Sequence, residues 1–260
     1  DVYKRQEYYV NDVGNQMNIL GRSTWLRYLE LLGDKKEFPD DHYRGDYIKD
    51  IAQLAIDQRG EEFLGKSEEE CIPFFKELAR DNILKGIRQD LSNFRVIFDN
   101  WFSELTLFQG GEYDTAIELL RDNDYLSERE GAMWFNSTML GDEKDNVVVR
   151  SSGEPTYFAS DIAYHYNKFV ERGYDSVVDI WGADHQGHVP RMKSAVEALG
   201  IERDRLTILI SQMVTLKSEG EVLRVSKRTG NFVTLRELAE EVGTDAWSFL
   251  FMARTPSSHM

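Results

Sequence analysis

Asp175-Ser176-Val177-Val178-Asp179-Ile180-Trp181 runs straight into Gly182-Ala183-Asp184-His185-Gln186-Gly187-His188. The first seven residues are rich in β-branched and aromatic side chains and read as a strand. The next seven open on glycine and read as the loop at that strand's carboxyl end. Upstream, a helix is expected up to Arg172, started by Ser160 or Asp161 as its cap and stopped by Gly173. Before it, Val147-Val148-Val149-Arg150, Ser151-Ser152-Gly153 and Thr156-Tyr157-Phe158 suggest strand, turn and strand. Downstream, Pro190 suits the first turn of a helix ending at Leu199-Gly200, and residues 206–213 form the next strand. Strands alternating with short helices predict an α/β fold with a parallel, doubly wound sheet, whose ligands lie beyond the strands' carboxyl ends.

A second loop follows the 206–213 strand: Leu223-Arg224-Val225-Ser226-Lys227-Arg228-Thr229-Gly230-Asn231-Phe232. It gathers three cations and two hydroxyls around a glycine. Such a loop can fold over a polyphosphate, with the lysine as a mobile point charge and hydroxyls and backbone N–H groups donating. Taken alone, it reads better as a solvated basic surface loop. Both loops fall at strand ends, which makes them candidates for one site.

The first half is organised in blocks. Tyr8-Tyr9-Val10 reads as a buried strand, turning at Asn11-Asp12 into a helix that carries Met17, Leu20, Trp25, Leu26, Leu29 and Leu32 and closes at Gly33. Residues 34–45 are charged and loop-like, 47–55 suit a short helix, and 61–91 are helical in pattern, with Pro73 in the first turn of a second helix. Residues 94–102 partly alternate like a strand, followed by a helix over 115–123 and a strand over 132–135. The predicted organisation is therefore the end of a first Rossmann half (7–33), an α+β insertion (34–145), a second Rossmann half with the basic loop (146–236), and the start of a helical junction (237–260).

Composition bounds the class. A chain of 260 residues with 41% hydrophobic content can bury a sizeable core. The single cysteine, Cys71, excludes an internal disulfide framework and fits a reducing compartment. No apolar run approaches the roughly 18–20 residues that a membrane span needs. A net charge of −15 argues against a general nucleic-acid coat, although cations outnumber anions between 201 and 236. Asp1-Val2-Tyr3-Lys4-Arg5-Gln6 resembles the translation of a transposon end used in sequencing libraries, so residues 1–6 are left out of fold reasoning.

Four motifs, in order, carry a family resemblance: Tyr8-Tyr9-Val10-Asn11-Asp12-Val13-Gly14-Asn15-Gln16, Tyr157-Phe158-Ala159-Ser160-Asp161-Ile162-Ala163-Tyr164-His165, Gly182 to His188, and Val225-Ser226-Lys227-Arg228-Thr229-Gly230-Asn231-Phe232. Together they resemble bacterial-type arginyl-tRNA synthetase, a class I synthetase with a Rossmann-like catalytic core. The resemblance implies ATP-dependent activation of L-arginine to arginyl-adenylate and transfer to tRNA(Arg), with Mg2+ accompanying ATP, in a cytoplasmic protein that is a monomer at full length. It implies Lys227 and Ser226 as the catalytic pair of the signature loop, with Arg224, Val225 and Arg228 completing its ATP contacts. Gly182, Asp184 and His188 would bind ATP as well. Arg224, Val225 and Arg228 depart from the family's usual Lys, Met and final Ser, and charge is kept at the first position.

The resemblance further assigns Tyr157, Asp161 and His185 to the arginine pocket. A guanidinium pairs best with a carboxylate presented edge-on, which suits Asp161. Asp161 as a simple helix cap, and His188 as a cap or a solvent-facing ring, stay open beside these roles. So do turn and helix-start roles for Asn11, Asp12 and Gln16, while His165, Trp181 and Phe232 are expected to pack. The family's first signature, a His-x-Gly-His motif, would lie upstream of Tyr8, so this polypeptide alone is expected to be inactive. His185-Gln186-Gly187-His188 fits that pattern only by letter. Two further readings compete: a non-enzymatic synthetase-like binding module, which should erode Lys227, and another class I synthetase. A cysteinyl enzyme would need zinc-ligand cysteines, whereas Cys71 stands alone.

Overall fold

A computed structural model describes residues 3–212, 214–215, 217–218, 221–222, 233–253 and 255. The chain divides into two compact units: residues 1–8, 12–101 and 216–254 form the first, and 9–11, 102–215 and 255–260 the second.

The first unit is built on helices α1 (Asn15–Leu31), α2 (Asp46–Arg59) and α3 (Glu68–Asn93). Trp25, Leu26, Tyr28 and Leu29 of α1 pack with Ala52 and Ala55 of α2 and with Cys71 and Phe75 of α3. Gly21 lets α1 and α3 close on each other: a Cβ there would come within 3.0 Å of Lys76 Cβ. Gly33 ends the first helix at φ +91°, as its place in the sequence predicts. The Tyr28 hydroxyl donates to the Gly60 carbonyl at 2.8 Å, tying α1 to the turn after α2.

The expected pair of helices between 61 and 91 is one 26-residue helix preceded by a turn, with Pro73 in its interior rather than in a first turn. The reason lies at Ser67, whose hydroxyl accepts the Glu70 N–H while the Glu70 carboxylate accepts the Ser67 N–H. This capping box, with Glu68, Glu69 and Glu70 at the positive end of the helix, starts the helix before Pro73 is reached. Further along the unit, α8 (Leu235–Val242) begins with a second capping box, Thr234 and Glu237, and is followed by α9 (Thr244–Met252). Arg236 pairs with Asp90 at 2.9 Å and Phe94 meets Trp247 edge-on, which seats these helices on the end of α3.

Strand β1 (Glu7–Val10) pairs with β2 (Asn100–Ser103). Of the first, only Val10 is fully buried, so the expected buried strand is half-exposed. The predicted strand over 94–102 is confined to its end, because Phe94 closes α3 and Arg95 turns into the left-handed region at φ 61°. Lys217–Ser218 and Glu221–Val222 form a short antiparallel pair, β8 and β9.

The second unit opens with α4 (Leu105–Gln109) and α5 (Glu112–Asp122). Strands β3 (Leu126–Arg129), β4 (Ala132–Phe135) and β5 (Asn146–Val149) form an antiparallel sheet in that order. Glu130 and Gly131, at φ 52° and 73°, make the two-residue hairpin between β3 and β4. Then come α6 (Tyr157–Tyr166), a π-helical turn (Asn167–Glu171), β6 (Val177–Gly182), a 3-10 turn (Ala183–His188), α7 (Val189–Ala198) and β7 (Leu206–Ser211). Strands β6 and β7 are parallel, in register from Val177 opposite Leu206 to Gly182 opposite Ser211. Phe135, Val148, Phe158, Ile162, Met192 and Leu206 lie at the centre of one buried cluster.

The start of α6 corrects two expectations. Thr156-Tyr157-Phe158 is not a strand, and neither Ser160 nor Asp161 is the cap. Thr156 is the cap: its hydroxyl accepts the Ala159 N–H and donates to the carbonyls of Val147 and Val148. The regular helix stops at Tyr166, and the π turn carries the chain to Arg172 and to Gly173 at φ 65°.

Candidate active site

Because Thr156 caps α6, Asp161 falls in the second turn with its backbone inside the helix, and its carboxylate is not used for capping. Tyr157 stands four residues earlier on the same helix face, 57% exposed, so the pair spans from solvent to interior. Burial pushes the Asp161 carboxyl up to about 7, and the Asp179 and Glu104 carboxylates add to the rise, while Lys168 and Arg191 oppose it. Tyr9 belongs to the same group: burial, Glu104 and Asp161 all hold its phenol in the neutral form. Its ring lies 4.6 Å from that of Tyr164. The Asp161 carboxyl with its raised pKa thus lies beside a neutral phenol, among two further acids and two cations.

Behind Asp161 is a buried polar cluster. His165 Nδ1 donates to the Asp161 carbonyl at 2.7 Å, and its Nε2 lies 2.8 Å from Asp179 Oδ2. Lys168 Nζ donates to Asp179 Oδ1 at 2.8 Å and lies 3.3 Å from His165 Nε2. Burial would raise the Asp179 pKa, yet Lys168 and His165 bring it well below the usual carboxylate range. Burial and the neighbouring ammonium of Lys168 lower that of His165. His165, expected to pack, is therefore both packed and hydrogen-bonded at both ring nitrogens.

The Gly182–His188 segment lies at the carboxyl end of β6, as predicted, in the form of a 3-10 turn. Asp184 folds back over the strand end: a Cβ on Gly182 would meet Asp184 Oδ1 at 2.5 Å. Asp184 and His185 are largely exposed, 3.5 Å apart, and the His185 ring lies edge-on to Trp181. Burial, and then Arg191, lower the pKa of His188. Arg191, on α7, acts electrostatically on both Asp161 and His188, so the two predicted groups share one neighbourhood. Its guanidinium lies 4.8 Å over the Phe158 ring. Asp12 is buried 3.8 Å from Arg80 in the first unit, while Asn11 and Gln16 are exposed. The signature-loop residues Arg224, Val225, Ser226, Lys227 and Arg228, with Phe232, lie outside the described residues.

Sequence reasoning missed Glu104, Lys168, Asp179 and Arg191. Glu104 and Asp179 sit in apolar strings, Trp101-Phe102-Ser103-Glu104 and Val177-Val178-Asp179-Ile180, and a lone acid inside such a run is the signal that was available.

No family model matches the chain. Among curated proteins, the arginine–tRNA ligase of Dehalococcoides mccartyi (strain CBDB1) is 50% identical over 258 residues, 99% of this chain and 46% of that protein. The ligase of Geobacter sp. (strain M21) is 52% identical over 256 residues, and that of Bacillus subtilis (strain 168) 46% over 255. Along almost its whole length, this chain is a relative of the arginine–tRNA ligases. It spans about half the length of the curated ligases it matches. A Campylobacter jejuni crystal structure assigned as an arginyl-tRNA synthetase superposes with a TM-score of 0.87 at 38% identity, over 98% of this chain and 55% of that one. The Thermus thermophilus arginyl-tRNA synthetase, at 17% identity and a TM-score of 0.62, shares the fold. The fold is thus that of a class I arginine–tRNA ligase core, mixed α/β with a parallel strand pair.

Proposed function

We propose that this chain is part of an arginine–tRNA ligase and contributes its arginine pocket. The observation that carries the reading is Asp161, a half-buried carboxyl with a raised pKa near the Tyr9 phenol and not used as a helix cap. A guanidinium arriving there regains, through a paired carboxylate, the solvation it gives up on entering the cleft. Tyr157 lines the entrance and His185 the far edge.

The chemistry proposed has two steps. An oxygen of the arginine carboxylate attacks the α-phosphorus of ATP, the bond to the bridging oxygen breaks, and pyrophosphate leaves. A hydroxyl of the terminal adenosine of tRNA(Arg) then attacks the activated carbonyl, losing its proton, and AMP leaves. Little covalent work falls to the protein, so catalysis is positioning and charge stabilisation. Asp184 is assigned to a ribose hydroxyl, Gly182 to close approach of the nucleotide, and His188 to a further ATP contact. Lys227 is assigned to the departing phosphates, and Ser226 to the nucleotide, beside Arg224, Val225 and Arg228. Mg2+ is assigned to the ATP phosphates. Among the described residues no helix is long and apolar enough to cross a membrane. We assign the intact protein to the cytoplasm as a monomer, with the division at 33, 145 and 236 as its domain plan.

The test is arginine-dependent ATP–pyrophosphate exchange with tRNA(Arg) present, on this sequence carried within a full-length relative. Citrulline and lysine serve as competitors, with Asp161→Ala and Lys227→Ala as variants. Exchange with arginine alone, lost in both variants, is the expected result. A folded protein without exchange would leave a synthetase-like binding module.

A further inference from the structure

Asp161 is flanked by charges from several elements. Tyr9 of β1, Glu104 before α4, His165 on its own helix, Lys168 of the following π turn, Asp179 of β6 and Arg191 of α7 all face it or its immediate partners. Three of these form a closed unit. Lys168 and Asp179 pair at 2.8 Å with both side chains largely buried, and His165 bridges them to the Asp161 carbonyl. Burying a lysine–aspartate pair costs several kcal/mol of desolvation for each ion, so packing alone would be served as well by apolar residues. His165, one helical turn along α6 from Asp161, connects the pair to the Asp161 main chain and gives it another use.

We propose that the Lys168–Asp179 pair, tied to Asp161 through His165, sets how strongly Asp161 attracts a guanidinium, and that Lys168 and Asp179 are positioning residues for arginine specificity. The proposal rests on Asp161 being the arginine ligand. Lys168 favours the Asp161 carboxylate and Asp179 disfavours it. Their pairing lets the two effects offset each other: the lysine is held to Asp179 and does not occupy Asp161 in the guanidinium's place. His165 fixes the distance, because its ring spans from the main chain of α6 to β6. The π turn contributes as well, since it is the segment that supplies Lys168 to the buried side.

The experiment measures the KM for arginine and for ATP from pH 5.5 to 9, by pyrophosphate exchange with tRNA(Arg). It uses this sequence within a full-length relative. Asp161→Asn is run first: if the arginine KM does not change, the arginine-pocket reading itself fails, apart from anything the cluster does. With that reading standing, Lys168→Met is expected to move the acid-side midpoint for arginine binding up by about 1 pH unit. Asp179→Asn is expected to move it down by about as much, with the ATP KM unchanged in both. Opposite shifts are a signature that loss of packing would not give. Midpoints that stay in place, or that move the same way with the ATP KM following, overturn the proposal. Where a single variant fails to fold, Lys168→Arg takes its place. It keeps the charge and should hold the original midpoint, and a shift in it counts against the proposal equally.

Discussion

Thr156 accepts the N–H of Ala159 and so leaves Asp161, one turn further on, outside the cap of α6. That division of labour separates the two explanations for an acid near a helix start. A threonine serves the helix end, and the acid's carboxylate is left free of capping.

One expectation concerns pH. In the free protein Asp161 holds its proton up to about pH 7, whereas a bound guanidinium favours the carboxylate. Arginine binding should therefore weaken as pH falls below about 7 and release a proton there. Calorimetry in two buffers of different ionisation enthalpy checks this; equal heats at pH 6 would contradict it. The same raised pKa makes the empty site destabilising above pH 7, because the unfolded carboxyl ionises near 3.8 and the folded one only near 7. Stability falls between those two values as pH rises, and arginine should restore it.

A second expectation tests the cap. Thr156→Ala removes the acceptor for Ala159 and the one hydroxyl donation shared between the Val147 and Val148 carbonyls. The cost should be about 1–2 kcal/mol in urea unfolding, with Thr156→Ser recovering most of it.

A third concerns the core. Ile162, fully buried directly after Asp161, packs in the cluster that holds Phe135, Phe158, Met192 and Leu206. Ile162→Ala should cost about 2–5 kcal/mol. Unfolding midpoints of the variant and of the parent protein provide the measurement.

A fourth addresses the β3–β4 hairpin. Glu130 sits at φ 52°, where asparagine or glycine is at less cost than glutamate. Glu130→Asn should stabilise by about 0.5 kcal/mol, and Gly131→Val, at φ 73°, should destabilise by more than that. Thermal unfolding distinguishes the two signs.

Much of this arrangement is legible in the sequence. The strand over Val177–Gly182, its loop, the proline-started α7 and the stop at Gly200 follow from local signals: a β-branched run, glycines at φ above zero, and a proline in a first turn. Helix starts were misread where a hydroxyl competed with a more conspicuous residue. Pro73 is a more conspicuous signal than Ser67, and Tyr157 and Phe158 after Thr156 favour a strand. The charged neighbours of Asp161 were illegible for another reason. Glu104, Lys168, Asp179 and Arg191 come from four separate segments, and no local pattern states that the chain will bring them to one carboxyl. The pairing of Lys168 with Asp179 also depends on a π turn, for which 167–171 carries no distinctive residue.

Cys71 gives the helical unit an internal reporter. Its thiol is fully buried between α1 and α3, 3.9 Å from the Phe63 carbonyl, and burial pushes its pKa up. As the single sulfhydryl of the sequence, it reacts with an alkylating reagent only when those helices part. The labelling rate therefore counts openings of that unit alone, while the other unit, which carries no cysteine, stays chemically silent.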